Sequence, residues 1–105
     1  MSRIEQIRKL LSQSPNDTFL LYSLGMEQLG QAQPREAAAT FARVLELDAN
    51  YLPAYTQAAA AHRQMGDVAA AVQLLRQGKE LALRTHDQHA ADRISLLLEA
   101  MEKPS

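Results

Sequence analysis

The sequence predicts an all-α protein of six helices. The chain of 105 residues contains 18 alanines and 16 leucines, and both residues are strong helix formers. Turn signals divide it into segments of about the length of a globular helix, and no segment shows the alternating, β-branched pattern of a strand. The predicted helices cover residues 2–12, 18–30, 34–47, 52–65, 68–83 and 86–102.

Each predicted helix begins at a recognisable signal. Ser2 and Thr85 each precede a Glu or Gln by three residues, which is the spacing of a capping box, and Thr85 is expected to start the sixth helix. Pro34 and Pro53 fit a first turn, because the missing N–H needs no partner there. Gly66 ends the fourth helix, and the aspartate that follows is a good N-cap for the fifth.

A period of 34 residues relates the second and third helices to the fourth and fifth. Most residues one period apart have similar sizes, so large residues match large ones and small residues match small ones, with Leu24 and Ala58 as the exception. The pairs are Leu21 and Tyr55, Leu24 and Ala58, Gly25 and Ala59, Ala37 and Ala71, and Phe41 and Leu75.

These residues and this period resemble the tetratricopeptide repeat family, in particular its small stand-alone bacterial members. The resemblance implies a right-handed solenoid of antiparallel helix pairs in a single domain, in which small residues let paired helices cross closely. It predicts full repeats at 18–51 and 52–85, an N-terminal half repeat at 1–17 and a C-terminal capping helix at 86–105.

Several positions depart from the family pattern, three of which have structural consequences that can be predicted. Gln28 and His62 stand where the family has tyrosine, and we expect His62 to be a partly buried structural residue. Gly78 lies within a helix at a local cost of about 1 kcal/mol relative to alanine, so a close helix contact is expected there.

The resemblance also implies a function, because the first helix of each repeat lines a groove that binds a partner's peptide or helix. The chain is therefore predicted to be a non-catalytic protein-binding module or scaffold. The predicted groove residues are Phe19, Tyr22, Ser23, Met26, Leu29, Thr56, Gln57, Ala60, Arg63 and Gln64.

Two interpretations of the second helix stay open. Its apolar residues surround nearly the whole circumference, so either the N-terminal helix covers them or they present an open apolar face. Phe19, Tyr22 and Met26 are the best anchors if the face is open. Arg63 is either a polar contact or an ordinary solvated residue. One branch of the family binds chaperone tails through a carboxylate clamp, but Tyr22, Met26, Gln57 and Pro53 occupy the corresponding positions. We therefore expect a ligand that is less acidic and more apolar.

The sequence predicts no enzyme, metal or cofactor. It has no glycine-rich phosphate loop, serine elbow or cysteine, and His86 and His89 with Asp87 and Asp92 form a weak metal candidate that helix capping also explains. A net charge of -1 gives no excess of basic residues for nucleic acid, and no apolar run approaches a membrane span. A cytoplasmic protein is expected.

The sixth helix offers a competing, structural function. Ile94, Leu97, Leu98 and Met101 form an apolar stripe that is expected to pack on the fifth helix. Leu96 lies off that stripe, so a weak homodimer built from terminal helices is the alternative to groove binding. The simpler interpretation is a capping helix with one exposed leucine.

Overall fold

A computed structural model describes residues 1–102, and this part of the chain contains six α-helices and no strand. Five of the six predicted helices are correct to within one residue at each end. The helices are α1 (Arg3–Gln13), α2 (Thr18–Gly30), α3 (Pro34–Leu47), α4 (Leu52–Gln64), α5 (Val68–Arg84) and α6 (Gln88–Glu102).

Short polar side chains begin four of the helices. The side chains of Ser2, Asp17, Asp67 and Asp87 each accept a 3.1 Å hydrogen bond from the backbone N–H three residues further on. Such a bond satisfies one of the four N–H groups that have no partner at a helix start. The N-cap predictions for Ser2 and Asp67 are therefore confirmed.

The predicted start of α6 is wrong. Thr85 ends α5 instead, because its hydroxyl donates to the carbonyl of Leu81 at 3.0 Å. His86 follows with a φ of 60°, in the left-handed region, and Asp87 is the residue that caps α6. A threonine hydroxyl can serve either helix end, and the carboxylate two residues later is the better acceptor for the new helix.

The helices stack in chain order. Each one packs on the next, and α2 also contacts α4. The principal dimensions are 43 × 31 × 19 Å, as expected for a solenoid in which an element contacts only its neighbours. The helices α2, α4 and α6 therefore share one side of the stack, which we call the inner face.

Small and large residues alternate in the core at the predicted period. Phe41 and Leu75 are both 0 % exposed, and Ala37 and Ala71 are completely buried beside them. A methyl group added to Gly25 would place its carbon 2.5 Å from Cε1 of Phe41, so only glycine fits beneath this ring. The close helix crossing predicted from the repeat is confirmed.

The residues that depart from the family pattern at positions 28, 62 and 78 are explained by their contacts in the structure. A Cβ atom at Gly78 would lie 3.0 Å from Cβ of Tyr55, which explains a glycine within α5. Gln28 is buried, and its Oε1 accepts a 2.7 Å hydrogen bond from the Thr40 hydroxyl. His62 is half-buried, as predicted, and its Nδ1 lies 3.7 Å from Oδ2 of Asp67.

The turn between α2 and α3 contains two residues that do not suit its backbone geometry. Ala32 has a φ of 58°, whereas Gly66, one period later, has a φ of 80° at no steric cost. Gln33 makes no side-chain hydrogen bond to the start of α3, but Asp67 caps α5 from the equivalent position. The two turns otherwise match, since the N–H groups of Gln33 and Asp67 each donate 2.9 Å bonds to the carbonyl five residues earlier.

The double substitution Ala32→Gly with Gln33→Asp is therefore expected to stabilise the protein by about 1–2 kcal/mol. Glycine relieves the left-handed backbone, and aspartate supplies the missing cap. Chemical denaturation measures the change in unfolding free energy. Ala39→Gly is the matched control, because it lies exposed within α3 and should destabilise the protein by about 1 kcal/mol. Equal losses in both variants would contradict the explanation.

Candidate functional site

Two of the predicted anchors on α2 are exposed. Phe19 is 68 % exposed and Met26 is 39 % exposed, although both are large apolar residues. The helix α1 packs on α2 through buried Ile7 and through a 2.8 Å ion pair between Arg3 and Glu27. This packing leaves Phe19 and Met26 exposed. The N-terminal helix therefore does not cover the part of α2 that carries these two residues.

Tyr22 has a more structural position than the other two anchors. Its half-buried ring packs on Phe41 at a centroid distance of 5.7 Å and on Tyr51 at 5.2 Å. Burial raises the pKa of the Tyr22 hydroxyl, and the neighbouring Tyr51 raises it further. Tyr22 therefore joins the core to the inner face and presents a neutral hydroxyl at physiological pH.

The inner face contains a cavity of about 530 Å³ between α4 and α6. Tyr22 from α2 closes one end of it. Its lining combines apolar side chains with a few polar groups, which is the usual composition of a ligand site. The lining residues are Tyr22, Leu52, Pro53, Thr56, Gln57, Ala60, Asp87, His89, Ala90, Arg93, Ile94 and Leu97.

Four of the ten predicted groove residues line this cavity, namely Tyr22, Thr56, Gln57 and Ala60. The other six do not line it. Phe19, Ser23 and Met26 lie on α2, and Leu29 packs against the core between α3 and α4. Arg63 and Gln64 are exposed at the end of α4.

The contribution of α6 to the cavity was missed, although the period could have revealed it. Ala90 and Leu97 lie one period after Thr56 and Arg63, so they repeat positions that had been assigned to the groove. The sequence pattern instead predicts that the whole stripe on α6 packs against α5. Ile94 and Leu98 are buried as predicted, but Leu97 is 38 % exposed and lines the cavity.

Hydroxyl groups on the inner face are satisfied within their own helices. Ser23 Oγ donates to the Phe19 carbonyl at 2.9 Å, and Thr56 Oγ1 donates to the Pro53 carbonyl at 2.9 Å. The remaining polar lining comes from Gln57, from Asp87 before α6, and from His89 and Arg93 of α6. This arrangement provides apolar contact and hydrogen bonding without a nucleophile and base in contact.

The polar cluster at the start of α6 has structural partners. Asp87 caps the helix, and Asp92 accepts a 2.8 Å hydrogen bond from Nε2 of Gln88. No group of three or more His, Asp, Glu or Cys residues that could hold a metal ion occurs within residues 1–102. Over the same residues, no helix has the length and apolar character needed to cross a membrane.

The surface relevant to self-association lies at the other side of α6. Leu96 is 66 % exposed, as predicted, and Leu83 of α5 is 48 % exposed. Charged side chains lie beside both leucines, including Arg76 and Glu102, which form a 3.1 Å ion pair.

Comparison with known proteins identifies the fold. Residues 52–84 match the tetratricopeptide repeat family, and no curated protein matches the chain in sequence. The type III secretion translocator chaperone SycD of Yersinia enterocolitica is 21% identical with a TM-score of 0.87, over 94% of this chain and 69% of that one. PcrH, in complex with the chaperone binding region of PopD, is 21% identical with a TM-score of 0.86, over 93% of this chain and 74% of that one.

A tetratricopeptide repeat domain protein from Salinibacter ruber is also similar. It is 23% identical with a TM-score of 0.79, over 87% of this chain and 92% of that one. The resemblance and the all-α solenoid that the sequence predicted are both confirmed.

Proposed function

We propose that this protein, which has the fold of tetratricopeptide repeat proteins, is a non-catalytic interaction module that binds a segment of a partner protein on its inner face. The observation that carries the proposal is an apolar surface that extends from the cavity between α4 and α6 onto α2. Tyr22 lines the cavity, and exposed Phe19 and Met26 lie one helical turn to either side of it. Apolar side chains so exposed and so close together are a mark of interaction surfaces.

The chemistry of this surface suits a peptide. Phe19 offers a rigid aromatic contact, and the flexible thioether of Met26 adapts to differently shaped partners. The Gln57 amide carries both donors and an acceptor, which match the N–H and C=O groups of a peptide backbone. The complex of PcrH with the chaperone binding region of PopD shows a protein of similar fold with a bound partner segment, which supports this proposal.

The test is capture of partners by an affinity-tagged chain, with identification by mass spectrometry. In the variant Phe19→Ser with Met26→Ser, specific partners are expected to be captured at least about tenfold less, because losing two apolar anchors removes about 2 kcal/mol or more of binding free energy. Circular dichroism should show unchanged helicity. Tyr22 is left intact, since its truncation would disturb the core.

Leu96→Ser is the matched control, because Leu96 is about as exposed as Phe19 but lies away from the inner face. Partners that bind the inner face are retained by this control. Equal capture by the parent and the Phe19/Met26 variant would contradict the proposal. If Leu96→Ser instead abolished a concentration-dependent dimer in sedimentation, the self-association alternative would be favoured.

A further inference from the structure

We propose that the bound segment carries a carboxylate, and that Arg93 of α6 recognises it at the edge of the cavity. This inference rests on the proposed function, and it names a specificity residue that the groove prediction did not contain. It follows from the position of Arg93 in the repeat, from its lack of an ion partner and from the charges around it.

Arg93 occupies a repeat position where the other first helices have small residues. Ala59 and Gly25 lie one and two periods earlier, and both are buried against the second helix of their own pair. Arg93, in contrast, is exposed and lines the cavity. Its guanidinium is therefore accessible to a ligand in the cavity.

The guanidinium has no competing partner in the described part of the chain. Arg3, Arg43 and Arg76 each form an ion pair with a glutamate at 2.8–3.2 Å, whereas Arg93 forms none with a described residue. A free arginine beside a partly enclosed cavity binds a carboxylate through two parallel hydrogen bonds.

The surrounding charges also favour an anionic group. The opposite wall, α4, contains no acidic residue and has His62 and Arg63 in its last turn. The one carboxylate in the cavity lining belongs to Asp87, and its Oδ1 is engaged by the Ala90 N–H at the start of α6. The positive end of the α6 dipole lies at the same place. A single carboxylate among apolar side chains is the ligand that matches this lining.

The experiment uses two leucine-rich pentapeptides with blocked ends, which differ only in a central glutamate or glutamine. Binding to the full chain is followed by NMR shifts of the α4 and α6 amides. The glutamate peptide is expected to bind about tenfold more tightly, a preference that added salt should reduce. In Arg93→Gln the preference should fall to about twofold or less, whereas Arg8→Gln, an exposed arginine of α1, should retain it.

Equal affinity for the two peptides, or a preference that survives in Arg93→Gln, would overturn the inference while leaving binding on the inner face intact. If neither peptide shifted any inner-face signal, the result would count against both the inference and the proposed function. Because Arg93 is exposed, Arg93→Gln should fold normally, and its unchanged thermal transition serves as the check.

Discussion

Truncation of Phe41 to alanine is expected to lower the free energy of unfolding by about 3–5 kcal/mol. Phe41 is 0 % exposed and is the largest of the fully buried side chains. It contacts Gly25 on one helix and stacks at an angle on Tyr22, so its removal leaves a cavity between α2 and α3 that the backbone cannot close. A loss of this size is a large part of the total stability of a small domain, which is about 5–15 kcal/mol.

Phe19→Ala is the matched control for this prediction, because Phe19 and Phe41 are the only two phenylalanines of the chain. Phe19 is 68 % exposed, so its truncation should change the unfolding free energy by no more than about 0.5 kcal/mol. Urea denaturation of the two variants gives both values. Comparable losses would mean that Phe19 is buried in solution and would also remove an anchor of the proposed site.

The two phenylalanines also show what the sequence could and could not predict. The burial of Phe41 follows from the period, because Leu75 takes the same place one repeat later and a small residue faces each of them. The exposure of Phe19 depends on where α1 lies across α2. That position is fixed by Ile7 and by the Arg3–Glu27 ion pair, which are tertiary contacts without a local sequence signal.

The inner face was predicted less well at α6 for a related reason. Start signals are local, but Thr85 was equally able to end α5 or to begin α6, and only the packed turn selects between these functions. The stripe on α6 contains Leu97 beside residues that do pack on α5, so periodicity alone could not separate the core side from the cavity side. Carrying the repeat period into α6 would have placed Leu97 correctly.

Gly25→Ala is expected to destabilise the protein by about 1–3 kcal/mol, even though alanine is the better helix former by about 1 kcal/mol. The added carbon would lie 2.5 Å from Cε1 and 2.8 Å from Cζ of Phe41, inside a core where the ring has no space to move. Gly30→Ala is the control, because a Cβ at Gly30 would meet nothing within 4 Å. Denaturation should show Gly30→Ala to be neutral or stabilising, and a similar gain in Gly25→Ala would refute the steric explanation.

The chain itself supplies the compensating change for this clash. One period after Gly25 and Phe41 stand Ala59 and Leu75, which pack together in a single buried cluster. The double variant Gly25→Ala with Phe41→Leu therefore gives the first helix pair the combination that the second already uses. Its loss of stability should be smaller than the sum of the two single losses by about 1 kcal/mol or more, because the smaller side chain vacates the space that the new methyl group needs. Additive losses would contradict this explanation, because they would show that alanine and leucine do not pack together in the first helix pair as they do in the second.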